Sequence, residues 1–375
     1  MDLTTTPVHP ALEPARLGGI ALANRFAVAP MSRVSATPDG VPTAEMADYY
    51  AAFADGGFGL VITEGIYSDL AYSQGYLNQP GLATAAQVDG WREVTRRVQA
   101  AGSPIVAQLM HAGAISQGNP RTTERVAPSA VQPIGEMLSE YGGRGPWPVP
   151  SALSAAGIDE VVAGFAEAAV HASEAGFDGV EIHAANGYLL DQFLTVYTNR
   201  RTDSYGGPVA NRVRLTAEVA RAVVAATPAD FVVGVRLSQT KVNDLEYRWP
   251  GGADEAEVIF EALAGTGIGY LHIASEGRNW LETARLRGGQ TLTGLARRVS
   301  GLPVIANGGM HDPAQADQVL TDGHADVLSL ARGALANPDL PRRLAEHREL
   351  ARFDRKMLEP AATLANARRW QTGRS

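Results

Sequence analysis

Eight short apolar runs alternate with longer amphipathic segments along most of the chain, and this alternation restricts the fold more than any other feature. The runs are rich in Val, Ile and Leu, and Gly, Pro, Asn and Asp bound them, which is typical of buried strands. They occupy residues 25–31, 59–65, 104–111, 179–184, 232–238, 270–275, 303–309 and 325–332.

The segments between these runs have the hydrophobic period of surface helices. Helices are predicted at residues 44–54, 84–101, 158–175, 209–226, 254–264, 291–299, 313–321 and 334–350. Strands that are apolar throughout and alternate with helices form a parallel sheet whose faces the helices cover. Eight repeats close most naturally into a (β/α)8 TIM barrel, and a doubly wound open sheet is the alternative.

Two segments do not fit the alternation. Residues 112–157, which include the string GGRGPWP, are too long for an ordinary connection, and they predict a cap or lid after the third strand. Residues 351–375, with Arg368, Arg369 and Trp370, are predicted to form a solvated, partly ordered C-terminal tail. Barrels routinely reach this length as one unit, so we expect a single domain over residues 1–375.

The composition indicates a globular protein that acts on small molecules. Apolar residues make up 45% and charged residues 19%, and the net charge of -8 is spread without basic runs. We therefore expect neither a nucleic-acid nor a membrane partner. The chain has no cysteine, so disulfides and thiolate chemistry are excluded and redox chemistry needs a bound cofactor. The absence of a leader-like or membrane-spanning apolar run predicts a cytoplasmic protein.

Polar residues at the carboxyl ends of barrel strands are the strongest candidates for functional residues, because the active sites of TIM barrels are located there. Gly308 and Gly309 end the seventh run and Arg332 ends the eighth, where barrels usually hold a phosphate. A phosphorylated ligand is therefore expected, and a tight turn without a ligand is the alternative for the two glycines. The glycine-rich string at 265–269 lacks the context of a dinucleotide site and indicates a turn.

The fourth run leads into three polar side chains, His183, Asn186 and Tyr188. Two hydrogen-bond donors can polarise a carbonyl group while a phenol supplies a proton. A single histidine at a strand end is structural about as often as it is catalytic. The three residues together favour catalysis.

Two polar side chains within the apolar runs each have two interpretations. Arg236 places a positive charge inside the fifth run, where it suits a flavin ring that becomes anionic on reduction or an ion pair with Glu181, and both can hold together. Gln108 is equally compatible with a ligand contact and with a hydrogen-bonded amide inside the barrel.

Several strings together resemble the Old Yellow Enzyme family. They are NRF and APMS within 24–32, ITEG at 62–65, QLMHAG at 108–113, GFDGVEIHAANGYLL at 176–190, NRRTDSYGG at 199–207, NR at 211–212 and ANPDL at 336–340. The resemblance spans about residues 17–340 and implies the short, single-domain form, with FMN bound in a TIM barrel. It also implies an ene-reductase that takes hydride from NADPH or NADH and reduces the C=C bond of α,β-unsaturated carbonyl or nitro compounds.

The resemblance also implies roles for individual residues. His183 and Asn186 would bind the carbonyl or nitro oxygen of the substrate, and Tyr188 would protonate the α-carbon. FMN would contact two groups of residues, namely Pro30, Met31, Ser32, Gly65, Gln108 and Arg236 around the ring and Gly308, Gly309 and Arg332 toward the phosphate.

Some positions depart from the family pattern. Ser32 stands where relatives often carry Thr or Cys, which changes how the flavin potential is tuned. Met110 replaces an aromatic residue beside the substrate and opens that side of the pocket, and Ala331 precedes Arg332 where many members have glycine. In one branch, C-terminal arginine or tryptophan residues enter the active site of a neighbouring subunit, so Arg368, Arg369 and Trp370 are candidates for that role.

Two rival functions remain open at this point. A flavin-free, phosphate-binding isomerase or aldolase would normally need a lysine or paired carboxylates at the strand ends, where Glu64 is the one obvious carboxylate. A non-catalytic flavin-binding protein would not need His183, Asn186 and Tyr188. The sequence does not determine the physiological substrate, the choice between NADH and NADPH, or the oligomeric state, although such barrels frequently form homodimers.

Overall fold

The computed structural model describes residues 9–275 and 278–372, and its centre is a closed barrel of eight parallel strands. The strands are β1 (Phe26–Val28), β2 (Leu60–Tyr67), β3 (Ile105–Met110), β4 (Gly179–Asn186), β5 (Val232–Lys241), β6 (Tyr270–Ala274), β7 (Val304–Asn307) and β8 (Val327–Leu330). They follow one another around the barrel in chain order, and β8 pairs with β1. The TIM-barrel prediction is confirmed, and the open-sheet alternative is wrong.

The helices surround this barrel. They are α1 (Ala44–Asp55), α2 (Ala85–Ala100), α3 (Ala155–Glu174), α4 (Leu189–Leu194), α5 (Val209–Arg212), α6 (Arg214–Ala226), α7 (Gly252–Ala264), α8 (Trp280–Thr283), α9 (Leu292–Ser300), α10 (Pro313–Thr321), α11 (Arg332–Ala336), α12 (Leu340–Ala345) and α13 (Leu364–Thr372). Side-chain oxygens of Thr43, Thr84 and Ser154 accept backbone N–H groups at the starts of α1, α2 and α3. No described helix is long and apolar enough to cross a membrane.

The prediction of one helix over residues 334–350 is wrong. α11 ends at Ala336 and α12 begins at Leu340, with Pro338 between them. Proline lacks the N–H that a helix needs, and it disfavours helical backbone at the residue before it. Asn337 stabilises the break, since its side chain accepts a hydrogen bond from the N–H of Ala351 at 2.8 Å and donates one to the carbonyl of Ala351 at 2.9 Å.

The C-terminal tail, predicted to be solvated and partly ordered, is partly exposed over its described residues 351–372 and includes a helix that packs on the barrel. Helix α13 packs against α1, with Leu364 and Asn366 buried, and the Asn366 amide donates to the carbonyls of Lys356 and Met357. Arg368 and Arg369 are exposed, and Arg368 forms an ion pair with Glu45 at 3.0 Å. Residues 373–375 lie outside the described ranges, and the role of the tail in a neighbouring subunit stays a prediction.

The predicted cap after the third strand is present as a largely irregular segment. Within residues 112–157 the regular elements are short, and the pair of strands Val126–Ala127 and Ser151–Ala152 is parallel. Leu138, Glu140 and Tyr141 from this segment border the cleft at the barrel mouth. The cap therefore forms one wall of the cleft.

The opposite end of the barrel is closed by an N-terminal hairpin of the strands Ala15–Leu17 and Ile20–Leu22. Its Leu17, Ile20 and Leu22 pack with apolar side chains of the barrel strands, among them Leu60 and Val327. This apolar plug leaves the carboxyl ends of the strands as the open end of the barrel.

Candidate active site

A single cleft at the carboxyl ends of the strands brings together every site residue that the sequence predicts. Its volume of about 540 Å³ is in the range of pockets that bind small organic molecules. The predicted residues that line it are Pro30, Met31, Ser32, Gly65, Gln108, Met110, His183, Asn186, Tyr188, Arg236, Gly308, Gly309 and Arg332.

An irregular end of strand β4 presents the polar residues on that side of the cleft. The pairing between β4 and β5 shifts after Ala184, and Asn186 then pairs with Lys241. Gly187 has φ +87° and Asn186 has φ +63°. A positive φ is uncommon for a residue other than glycine, so the conformation of Asn186 marks a strained turn. The N–H of Asn186 donates to Ser238 Oγ at 2.8 Å, so the turn is tied to β5.

A buried ion pair supports this turn from below. Lys241 Nζ donates to both carboxylate oxygens of Asp191 at 2.8 Å, and the N–H of Gly187 donates to Asp191 Oδ2 at 2.7 Å. Both side chains are almost fully buried. Burial raises the pKa of Asp191 and lowers the pKa of Lys241, and each partner opposes the shift of the other. The pair fixes the backbone that carries Asn186 and Tyr188.

Tyr188 has a hydroxyl partner that the sequence did not reveal. The hydroxyl groups of Tyr188 and Tyr76 lie 2.6 Å apart, and the Tyr141 ring packs on the Tyr76 ring with centroids 4.4 Å apart. The ring centroids of His183 and Tyr188 are 4.9 Å apart. The Tyr188 side chain is therefore held between His183 and Tyr76, which lies in the segment after β2.

His183 is a neutral side chain at physiological pH. Burial lowers its pKa well below the ordinary value of histidine, and the charges of Arg236 and His272 act in the same direction. Its Nδ1 is buried and has no hydrogen-bond partner among the described residues. A neutral imidazole keeps one N–H donor, so His183 can hydrogen-bond a ligand oxygen in the cleft.

The floor of the cleft is a hydrogen-bonded network around Glu181. Gln108 Nε2 donates to Glu181 at 2.8 Å, and His272 Nδ1 and the Tyr270 hydroxyl lie 2.8 and 3.2 Å from its second oxygen. Burial raises the pKa of Glu181, but His272, Arg236 and Gln108 outweigh burial and lower this pKa. Gln108 thus both borders the cleft and satisfies Glu181, and the charge of Arg236 acts on Glu181 as well as facing the cleft.

The other side of the cleft is formed by backbone rather than by a side-chain network. Gly308 and Gly309 have φ +111° and φ +76°, and Arg332 begins α11 beside them. A Cβ atom added to Gly309 would lie 2.4 Å from Asn279 Nδ2. Both positions have a positive φ that favours glycine, and a Cβ atom at Gly308 would also lie 2.8 Å from the backbone N of Trp280. Glycine backbone beside an arginine fits the phosphate group of a cofactor.

The fold is a parallel TIM barrel. Its phosphate-compatible end at β7 and β8, the cation at Arg236 and the hydrogen-bonding residues at β4 fit a flavin-dependent oxidoreductase. The sequence profile of the NADH:flavin oxidoreductase / NADH oxidase family matches residues 11–351. The chain belongs to this family, the Old Yellow Enzyme family. It is an NAD(P)H-dependent flavin oxidoreductase with FMN as cofactor, and the flavin-free alternative is not supported.

Named relatives agree with this assignment over nearly their full lengths. The flavin oxidoreductase hxnT of Emericella nidulans is 36% identical, with 93% of this chain and 94% of hxnT covered. A probable flavin mononucleotide-dependent alkene reductase of Leishmania infantum is 34% identical, with 91% of each chain covered. The solved structure of an old yellow enzyme homologue from Zymomonas mobilis is 34% identical, with a TM-score of 0.84 and coverage of 96% and 98%.

Proposed function

We propose that this enzyme reduces the C=C bond of α,β-unsaturated carbonyl and nitro compounds. The convergence of His183, Asn186 and Tyr188 on one side of the cleft carries the proposal. Two of these side chains can hold an oxygen atom, and the third carries a transferable proton. The relative from Leishmania infantum, named as an alkene reductase, supports the same reaction class.

Two groups of residues would hold FMN in this proposal. The phosphate group would lie against Gly308, Gly309 and Arg332, and the ring would lie among Pro30, Met31, Ser32, Gly65, Gln108 and Arg236. Bound FMN supplies the hydride that a nicotinamide nucleotide has delivered to the enzyme. The fixed positive charge of Arg236 favours a ring that carries negative charge.

The residues at strand four would activate the substrate. The neutral His183 and the amide of Asn186 donate hydrogen bonds to the carbonyl or nitro oxygen, which draws electrons away from the double bond. The β-carbon then accepts hydride, and the α-carbon takes a proton from the Tyr188 hydroxyl. Tyr76, 2.6 Å from that oxygen, can stabilise the phenolate that remains and pass a proton back to it.

The first experiment follows the visible spectrum of the purified protein under anaerobic conditions. Adding NADPH should bleach the flavin absorption, and adding cyclohexenone should restore it. A parallel titration with NADH measures the nucleotide preference. A protein that bleaches with nucleotide but recovers no colour with enones or nitroalkenes would contradict the proposed substrate class while leaving the family assignment intact.

Tyr188→Phe tests the proton donor. We expect the oxidation of the flavin by cyclohexenone to slow by about 10²- to 10⁴-fold, because general acid catalysis contributes that much. Reduction by NADPH should keep its rate, and stopped-flow spectroscopy measures the two half-reactions separately. Equal slowing of both half-reactions would remove Tyr188 from the proposed role.

His183→Ala with Asn186→Ala tests the oxygen-binding pair. The double variant should bind phenol-like ligands more weakly and reduce enones more slowly, because both donors to the substrate oxygen are lost. Ligand titration of the flavin spectrum and enone turnover measure these effects, and the flavin content of the purified protein is the control. Loss of FMN instead would contradict the assigned role.

A further inference from the structure

Glu181 is a fully buried carboxyl group that three side chains from two other strands contact below the cleft. Gln108 Nε2, on β3, donates to its Oε1 at 2.8 Å. His272 Nδ1 and the Tyr270 hydroxyl, both on β6, lie 2.8 and 3.2 Å from its Oε2. Glu181 and His272 are 0% exposed, and Glu181 does not border the cleft. Glu181 can therefore act on a ligand in the cleft only through its neighbours.

The carboxyl group of Glu181 is an acceptor and not a donor. Burial raises its pKa, but His272 and Arg236 outweigh burial and hold this pKa below the ordinary value. An ionised carboxylate has no proton to give, so each of its partners must present a proton to it. The Nδ1 atom of His272 and the hydroxyl of Tyr270 can both do so.

This acceptor determines which way the Gln108 side chain is turned. An amide has an NH2 end that donates and an oxygen end that accepts. With its nitrogen toward Glu181, Gln108 forms the 2.8 Å hydrogen bond. With the amide reversed, its oxygen would lie against a carboxylate oxygen, and no proton would be available between them. The ionised Glu181 therefore excludes the reversed orientation.

The oxygen end of the same amide is open to the cleft. Gln108 Oε1 accepts no hydrogen bond from the residues that the structure describes, and it is not among the fully buried unpaired atoms. Gln108 lines the cleft together with Gly65 and Arg236, which are also assigned to the flavin ring in the proposed function. This position presents a hydrogen-bond acceptor to a ligand in the cleft.

An acceptor at this position matches the chemistry of the FMN ring. The oxidised isoalloxazine ring carries one N–H group, which lies between two carbonyl groups. Gln108 Oε1 can accept a hydrogen bond from that N–H, whereas the NH2 end of a reversed amide would meet it donor against donor. The direction of one buried amide therefore decides whether the ring is bound or opposed.

We propose that Glu181 is a positioning residue for the flavin, which holds the Gln108 amide with its oxygen toward the cleft so that this oxygen accepts the ring N–H of FMN. His272 and Tyr270 keep the carboxylate in place, and Glu181 itself does not contact the cofactor. The inference rests on the proposed position of the FMN ring, and it assigns a role to a residue below that position.

Glu181→Gln tests this role with almost no change of shape. The oxygen of the introduced amide can still accept from His272 and Tyr270, while its nitrogen donates toward Gln108. The Gln108 amide should then turn its own nitrogen to the cleft. The FMN dissociation constant, measured by equilibrium dialysis of the holoenzyme, should rise about 10- to 100-fold, because a hydrogen bond to the ring is replaced by two opposed donors.

A double-mutant cycle separates the turned amide from the other effects of this substitution. Gln108→Met removes the amide and keeps a side chain of similar length. In that background the effect of Glu181→Gln on the FMN dissociation constant should be about tenfold smaller, since no amide is left to turn. The lost charge beside Arg236 acts in both backgrounds and cancels in the comparison. Equal effects in the two backgrounds would overturn the proposal.

Tyr270→Phe is the matched control within the network. It removes a different donor from the same carboxylate and leaves the bond between Glu181 and Gln108 intact, so FMN affinity should not change. A loss as large as that of Glu181→Gln would show that any disturbance of the network weakens FMN binding. That result would also contradict the specific role of Glu181.

Two further comparisons complete the test. If Glu181→Gln does not fold, Glu181→Asp withdraws the carboxylate from Gln108, and it should weaken FMN binding in the parent but not beside Gln108→Met. Gln108→Met alone separates the two levels of the argument. Unchanged FMN affinity in Gln108→Met would contradict the proposed position of the ring. Weaker binding in Gln108→Met with unchanged binding in Glu181→Gln would contradict only the role of Glu181.

Discussion

The two sides of the catalytic cleft are built by different means. At β4 and β5, a strained Asn186 turn is held by the buried pair of Asp191 and Lys241. At β7 and β8, Gly308 and Gly309 shape the chain through backbone conformation and the absence of side chains. In the proposed reaction the first side would position hydrogen-bond donors and a proton through side chains, and the second would hold the phosphate of FMN through backbone.

Because of this difference, substitutions on the two sides of the cleft should affect different properties of the protein. A side that depends on a buried ion pair loses stability when one charge is removed, because the remaining charge stays buried. A side that depends on glycine backbone loses ligand affinity when a Cβ atom is added, while the rest of the fold persists. The following substitutions separate the two effects.

The largest effect is expected for Lys241→Met, which leaves the carboxylate of Asp191 buried without its partner. The free energy of unfolding of the FMN-loaded protein should fall by about 3–5 kcal/mol. Denaturant titration measures it. The double variant with Asp191→Asn carries no buried charge and should recover part of the loss. A single variant as stable as the parent enzyme would show that the pair does not support the turn.

A smaller effect is expected for Gly309→Ala. A non-glycine residue at this φ costs about 1–3 kcal/mol, and the added methyl group would contact Asn279, so the FMN dissociation constant should rise about 10- to 100-fold. Fluorescence titration of the apoprotein with FMN measures it. Gly207→Ala is the matched control, since Gly207 has φ +81° and open space around it. Similar losses of FMN affinity in both variants would refute a specific role of Gly309.

The smallest effect is expected for Tyr76→Phe. It removes one neutral hydrogen bond to Tyr188, a contribution of about 0.5–1.5 kcal/mol, so flavin oxidation by cyclohexenone should slow roughly 2- to 10-fold. Stopped-flow spectroscopy over a range of pH measures it, and FMN affinity should not change. A loss as large as that of Tyr188→Phe would make Tyr76 an equal partner in proton transfer.

The barrel could be predicted from the sequence because its signals are local. Each strand is a short apolar run, and the polar residues that follow the runs meet at one end of any parallel barrel. For the same reason His183 and Gly309, far apart in the chain, could be assigned to one site. Pro338 is itself a local signal for a break in the helix. The prediction of one helix over residues 334–350 gave more weight to the helical period of the neighbouring residues.

The supporting contacts could not be predicted, because they join residues from different elements. Asp191 and Lys241 are 50 positions apart, and Tyr76 and Tyr188 are 112 apart. No period or motif relates such pairs. The packing of α13 on α1 could not be predicted for a similar reason, since the two helices lie at opposite ends of the chain.

The cap over residues 112–157 has a consequence for how such an enzyme can diversify. It begins where β3 ends and returns where α3 begins, and it contributes no strand to the barrel. Leu138, Glu140 and Tyr141 of this segment line the cleft. Because the segment lies outside the barrel strands, substitutions within it can reshape one wall of the cleft while the strands keep their pairing.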